Sequence, residues 1–149
     1  MKTNRVITLA AFCVLCLCPR GFAKLPAWSG RVVKPDPAAV TAASAFLANV
    51  DSNAYSSAYT QLAARCRRGG ASGEQQILAY FRALREPLGK VRSRSLSRAR
   101  SSNTISGGPD GSYEFLDYET AFVRKAHGIE IVTLTKESGH WEVSGYHVY

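Results

Sequence analysis

Thr133-Leu134-Thr135-Lys136-Glu137-Ser138-Gly139-His140-Trp141-Glu142-Val143 is the stretch that decides the fold. Ser138-Gly139 sits between two alternating runs, which predicts a two-residue hairpin loop. Closing that loop pairs Glu137 with His140, Lys136 with Trp141, Leu134 with Val143, Val132 with Gly145 and Glu130 with His147. Side chains alternate between the two faces of a strand, so these residues share one face. Trp141, Leu134, Val143 and Val132 mark it as the core face. The opposite face carries Ile129, Ile131, Thr133 and Thr135 against Val148, Tyr146, Ser144 and Glu142.

Working upstream, Ala126-His127-Gly128 reads as a three-residue loop with glycine in the left-handed position. That loop sets Arg124 against Glu130, Phe122 against Val132, Thr120 against Leu134 and Tyr118 against Lys136. Leu116, Tyr118, Thr120 and Phe122 then join the core face, in agreement with the first hairpin. Tyr113 and Phe115 fall in the other phase, which predicts a bulge near Phe115-Leu116. Lys90 to Arg98 reads as a fourth strand. Residues 99–111, rich in Ser, Gly, Asn, Pro and Asp, read as a polar connection.

Helices precede these strands. Asp36-Pro37 is a cap followed by proline at the first helical position. Val40, Ala43, Phe46, Leu47 and Val50 recur after it at helical spacing. A second helix starting at Asp51 or Ser52 carries Tyr55, Ala58, Tyr59, Leu62 and Cys66 on one face. Arg65, Arg67 and Arg68 suit its C-terminal dipole, and Gly69-Gly70 stops it. Ser72 with Gln75 has capping-box spacing for a third helix. Ile77, Leu78, Phe81 and Leu84 form its apolar side, and Pro87 and Gly89 end it. Three helices before four antiparallel strands predict an α+β domain with the helices packed on one face of a meander sheet.

The chain opens with a basic Met1-Lys2-Thr3-Asn4-Arg5, an apolar run from Val6 to Cys18, and small residues around Ala23. This pattern predicts a signal peptide over 1–23, an arm over 24–36 and one α+β domain over 37–149. The protein is expected to be exported, to the periplasm or beyond. Removing the first 23 of 149 residues leaves 126, enough for one hydrophobic core, with no transmembrane segment. Cys13, Cys16 and Cys18 leave with the signal, so Cys66 alone remains and no intramolecular disulfide can form. Loss of Lys2, Arg5 and Arg20 takes the formal charge from +8 to +5. No nucleophile elbow, phosphate-cradling glycine loop or zincin motif is present, and Gly107-Gly108-Pro109-Asp110-Gly111 is a turn run.

Several segments carry a resemblance. They are Arg85-Glu86-Pro87-Leu88-Gly89 with Val91, Ser93 and Arg94; Gly111-Ser112-Tyr113; Tyr118-Glu119-Thr120-Ala121-Phe122; Glu130 with Val132-Thr133-Leu134; and Trp141-Glu142-Val143-Ser144-Gly145-Tyr146. Over roughly residues 38–148 the chain resembles the bacterial domain of unknown function 4019 family of small exported proteins. The resemblance implies no established activity and transfers no catalytic residue. Its order of elements is similar to that of cystatin-like and NTF2-like folds, an analogy of fold from which function does not follow.

Three groups of residues are candidates for chemistry. The register above juxtaposes Arg124, Glu130 and His147 on the core face, as an acid–base pair or an anion-binding rim at a pocket mouth, or simply as polar closure of the sheet. Arg82, Arg85, Lys90, Arg92, Arg94, Arg98 and Arg100 form a basic patch for an anionic surface, or a solvated edge strand. Tyr59, Tyr118, Phe122 and Trp141 are candidate pocket lining, or core. His127 and His140 fall in opposite turns about 30 Å apart, too far to share a metal, so no metal or cofactor is expected. The leading expectation is a non-enzymatic module that binds a small ligand or an envelope protein, with no nucleic-acid partner. The alternatives are a small isomerase- or hydrolase-type enzyme using Glu130 and His147, and a basic surface-binding module using the arginine-rich strand.

Overall fold

The computed structural model describes residues 30–149. The signal-peptide reading of 1–23 and residues 24–29 of the arm lie outside the described residues. The elements run β1 (Arg31–Val32), α1 (Pro37–Asp51), α2 (Tyr55–Thr60), a 3-10 turn (Ala64–Arg67), α3 (Gly70–Arg85), β2 (Val91–Ser102), β3 (Tyr113–Phe122), β4 (Gly128–Glu137) and β5 (His140–Val148), so the expected three helices and four strands follow an unexpected first strand. The sheet has five strands rather than four, all antiparallel, in the order β1-β2-β3-β4-β5. The added strand comes from the arm, where Arg31 and Val32 pair with Ser101 and Arg100. Two residues are too short a run to carry a periodic signal.

Helix α1 begins as its sequence requires. The Asp36 carboxylate accepts from the Ala38 N–H at 2.9 Å, and Pro37 occupies the first turn. Ala39, Ala43, Phe46, Leu47 and Val50 bury one stripe of it. They meet Leu116, Val132, Leu134, Val143 and Tyr146 of the sheet in one apolar cluster. Phe46 lies edge-on to Phe81 of α3 at 5.6 Å and to Tyr146 at 5.4 Å between ring centroids, so both helices and the sheet share one packed layer.

Helix α2 is shorter than the helical spacing suggested. Gln61–Ala63 leaves the helix to extend the sheet edge, with the Ala63 N–H donating to the Val143 carbonyl at 2.7 Å and the Val143 N–H to the Gln61 carbonyl at 3.3 Å. Pairing with an otherwise open edge outweighs a last helical turn. Cys66 therefore sits in the 3-10 turn, half-buried, with its sulfur 3.7 Å from the Ser144 carbonyl.

The two hairpins carry the corrections that matter for function. Glu137↔His140, Lys136↔Trp141 and Leu134↔Val143 pair as expected, and Ser138 (φ 49°) and Gly139 (φ 84°) make the tight loop. Beyond Leu134 the register shifts by one: Thr133 faces Gly145, Val132 faces Tyr146 and Ile131 faces His147. Ser144 is the extra residue of a bulge, and it turns Tyr146 toward the helices and His147 to the other face. In the first hairpin Tyr118 faces Glu130 and Thr120 faces Gly128, six positions from the expected offset. The end of β3 runs on past β4, with the Val123 N–H donating to the Lys90 carbonyl and the Arg124 N–H to the Leu88 carbonyl. The turn is correspondingly longer than three residues. An even offset preserves the faces, so Leu116, Tyr118, Thr120 and Phe122 still point at the helices.

The bulge expected near Phe115-Leu116 is instead two bulges in the neighbouring strand, at Arg92 and Ser97 of β2. Tyr113 and Phe115 keep their phase and are buried on the outer face. There the Arg100 guanidinium lies 5.4 Å from the Phe115 ring centre.

Candidate functional site

Glu130 is fully buried near the start of β4, on its helix-facing side. Its Oε1 accepts from Tyr146 Oη at 2.5 Å and from Arg85 Nη1 at 3.2 Å. Its Oε2 accepts from Thr120 Oγ1 at 2.6 Å and from Arg94 Nε at 2.7 Å. The two arginines reach on to Asp51. Arg85 Nη2 and Arg94 Nη2 each donate to Oδ1 at 2.9 Å, and Arg94 Nη1 donates to Oδ2 at 2.7 Å. Two guanidinium groups thus face two carboxylates, and burial of charge is compensated by pairing and hydrogen bonds together.

Six elements supply one member each. Asp51 ends α1 and Arg85 ends α3; Arg94, Thr120, Glu130 and Tyr146 come from β2, β3, β4 and β5. Arg85 suits the C-terminal dipole of its helix, whereas Asp51 opposes that of α1 and depends on the arginines. The Arg85 guanidinium also covers the Phe122 ring at 4.7 Å from its centre. Burial works against the charge on Arg94, but its hydrogen bonds to Asp51 and Glu130 outweigh burial and hold it firmly protonated. Burial raises the Tyr146 phenol well above its usual range, and the neighbouring Glu130 charge adds to this, so Tyr146 stays a donor. Tyr118, opposite Glu130, is raised by burial too, and its hydroxyl has no hydrogen-bond partner among the described residues.

Chemically this arrangement is closed. A carboxylate offers about four lone-pair sites, and Glu130 has a donor on each. Nothing remains to take a proton from a substrate, and the side chain has no solvent exposure.

The predicted trio is not assembled. His147 pairs with Ile131 and leaves the face that holds Glu130. It meets Tyr80 instead: Tyr80 Oη donates to the Tyr146 carbonyl at 3.0 Å and lies 2.9 Å from His147 Nδ1. A hydroxyl has one proton, so satisfying both contacts requires Nδ1–H to donate to Oη. Arg124 is exposed and donates to the Glu86 carbonyl at 3.1 Å.

The basic patch is not one surface. Arg85 and Arg94 turn inward to Glu130 and Asp51. Arg100 turns outward, buried, onto Asp117 at 2.7 Å. Arg82 lies over the Tyr55 ring at 6.0 Å, and Lys90, Arg92 and Arg98 are exposed. The bulges at Arg92 and Ser97 are the cause, since each reverses the phase of β2.

The candidate pocket residues are core. Tyr59, Tyr118 and Phe122 are buried, and Tyr59 Oη donates to the Arg67 carbonyl at 3.3 Å. Trp141 is half-buried at the other end of the sheet, where its Nε1–H donates to Asp36 at 2.9 Å. That bond, with the Ala38 N–H, draws the Asp36 carboxyl below its usual range. The Asp36 N–H in turn donates to Glu114 at 2.9 Å, whose carboxyl is pushed up by burial.

The sequence alone does not single out Asp51, Thr120 and Tyr146, and it places Arg85 and Arg94 in the basic patch. Two signals were present. Leu96 is in phase with Arg94, which marks that side of the strand as inward. Trp141 and Val143 are followed by Tyr146 and Val148, so the apolar alternation slips by one across Ser144-Gly145.

An open groove of about 680 Å³ lies on the outer face beside the β3–β4 turn, formed in part by Ser93, Ser95, Glu119, Lys125, Ile129 and Tyr149. No cluster of three or more His, Cys, Asp or Glu side chains fit to hold a metal occurs among the described residues. No helix among them is long and apolar enough to cross a membrane.

Among solved structures, the chain is similar to the crystal structure of a "putative NTF2-like transpeptidase" from Campylobacter jejuni, at 15% identity and a TM-score of 0.46, covering 73% of this chain and 97% of that one. It is similar to that of a "putative ketosteroid isomerase" from Shewanella frigidimarina at 18% identity and a TM-score of 0.46, covering 76% of this chain and 96% of that one. No curated protein matches it. The family described as "Protein of unknown function (DUF4019)" matches residues 42–146. That span holds Asp51, Arg85, Arg94, Thr120, Glu130 and Tyr146 together, and the chain belongs to this family.

Proposed function

We propose that the protein is a non-enzymatic, exported binding module of the cell envelope. The observation that carries the non-enzymatic part is the saturation of Glu130 by four donors inside a filled helix–sheet interface. An acid–base residue needs an open lone pair or an exchangeable proton aimed at a cavity. Glu130 has neither, and His147 is on the other side of the sheet. Export rests on the sequence pattern of residues 1–23. Binding at an outer surface is the use that remains for a fold whose inner face is packed.

Two measurements test this reading. A reporter active only outside the cytoplasm, fused to the C-terminus, is expected to be active with residues 1–23 present and silent without them. Amide spectra of the 15N-labelled protein, screened against a fragment library, are expected to change on the outer face of the sheet. Perturbations centred on Glu130, Tyr146 and Phe46 would show a ligand entering the interface and would overturn the reading.

A further inference from the structure

We propose that the outer-face groove is a carbohydrate-binding site for a neutral oligosaccharide. The inference rests on the binding-module reading and names the ligand class for its outer surface. Ser95, Glu119, Ile129 and Tyr149 form a row straight across the sheet. Ser95 pairs with Glu119, Glu119 with Ile129, and Ile129 exchanges both backbone hydrogen bonds with Tyr149. Directly paired residues share a face, and neighbouring strands lie about 4.8 Å apart, so the row spans roughly 14 Å. Ser93 and Ala121 form a second, shorter row beside it, and Lys125 and His127 of the turn close the end.

The chemistry of that row selects the ligand. The hydroxyls of Ser93 and Ser95 donate and accept, as sugar hydroxyls do. The Glu119 carboxylate accepts, the Lys125 ammonium donates, and neither has an ion-pair partner among the described residues. Ile129 and the Tyr149 ring supply flat apolar area for the C–H face of a pyranose. One carboxylate and one ammonium cancel, so the groove does not select anions although the whole chain carries a formal +8.

The strands under the groove are hydrogen-bonded to one another, so its floor presents side chains to a ligand. The volume of about 680 Å³ falls within the ~300–1,000 Å³ typical of small-molecule sites.

The test is a titration of the 15N-labelled protein with chitotriose and, separately, maltotriose. At least one is expected to shift the amides of Ser93, Ser95, Glu119 and Ile129 in a saturable way, with the Glu130 surroundings unmoved. Ser95→Trp is expected to abolish the shifts by filling the groove, and Glu119→Gln to weaken binding about tenfold by removing a charged acceptor. Both sites are exposed, and an unchanged melting temperature confirms folding. Neither trisaccharide shifting these amides overturns the carbohydrate assignment. If fragments nevertheless bind in the same groove, the broader binding-module reading survives that result; if they bind nowhere on the outer face, both fall.

Discussion

Removing the charge from Glu130 leaves two guanidinium groups, one of them only 4% exposed, to share Asp51 alone. Glu130→Gln is nearly isosteric, so the loss is electrostatic. Breaking a buried pair by removing one partner costs about 3–5 kcal/mol. A urea midpoint is the measure, and a change under 1 kcal/mol would show that the arginines find other partners. Tyr146→Phe removes one donor and keeps the ring packed on Phe46, so the expected cost is smaller, about 1–2 kcal/mol. His147 gives a separate, pH-dependent signature. Burial lowers its pKa from 6.5, so the unfolded chain takes up a proton at a higher pH than the folded one. As pH falls below 6.5, the unfolded state binds more protons and stability drops, levelling off only below the folded value. His147→Gln is expected to flatten the melting temperature between pH 7.5 and 5 relative to the parent protein.

At the scale of elements, one inserted residue decides what Glu130 touches. Ser144 is one extra residue of β5 opposite the step from Leu134 to Thr133 of β4, and everything beyond it changes face relative to strict alternation. Deleting Ser144 would remove the bulge but keep Gly145 opposite Thr133, Tyr146 opposite Val132 and His147 opposite Ile131. The Tyr146 donor to Glu130 is kept, so such a variant is expected to lose less stability than Tyr146→Phe in the same urea series. A larger loss would mean that the bulge itself is needed to bend β5 toward the helices. The same element shows what a sequence can carry. The Ser138-Gly139 turn and the first pairs beyond it follow from local chemistry and were legible. The phase slip across Ser144-Gly145 was visible in the residues, but a strict period of two averages over it. The six-position offset of β3 was not legible, because the turn length depends on Val123 and Arg124 pairing with Lys90 and Leu88, which are distant in sequence. Gly128 records that outcome: a Cβ there would lie 2.9 Å from the Phe122 ring, so Gly128→Ala is expected to cost about 1–3 kcal/mol through forced displacement of that ring.

Across the whole molecule, the Glu130 cluster and the Asp36–Trp141 contact fasten different parts of the same layers. The first ties the ends of α1 and α3 to four strands. The second ties the start of α1 to β5 and, through Glu114, to β3. Helix α1 spans the distance between them, with Phe46 and Val50 buried along the way. A layer held at both ends over one continuous core should melt as a unit, so damage at one end should be felt at the other. The chain has two tryptophans, so a Trp28→Phe background leaves Trp141 as the single indole reporter. In that background Glu130→Gln is expected to lower the urea midpoint of Trp141 fluorescence and of far-ultraviolet circular dichroism by the same amount, with the two curves superimposed. A fluorescence transition that stays at the parent midpoint while the dichroism transition moves would mean that the Trp141 end folds independently. The cluster would then be a local clasp on the ends of α1 and α3, and the filled interface would no longer be one cooperative unit.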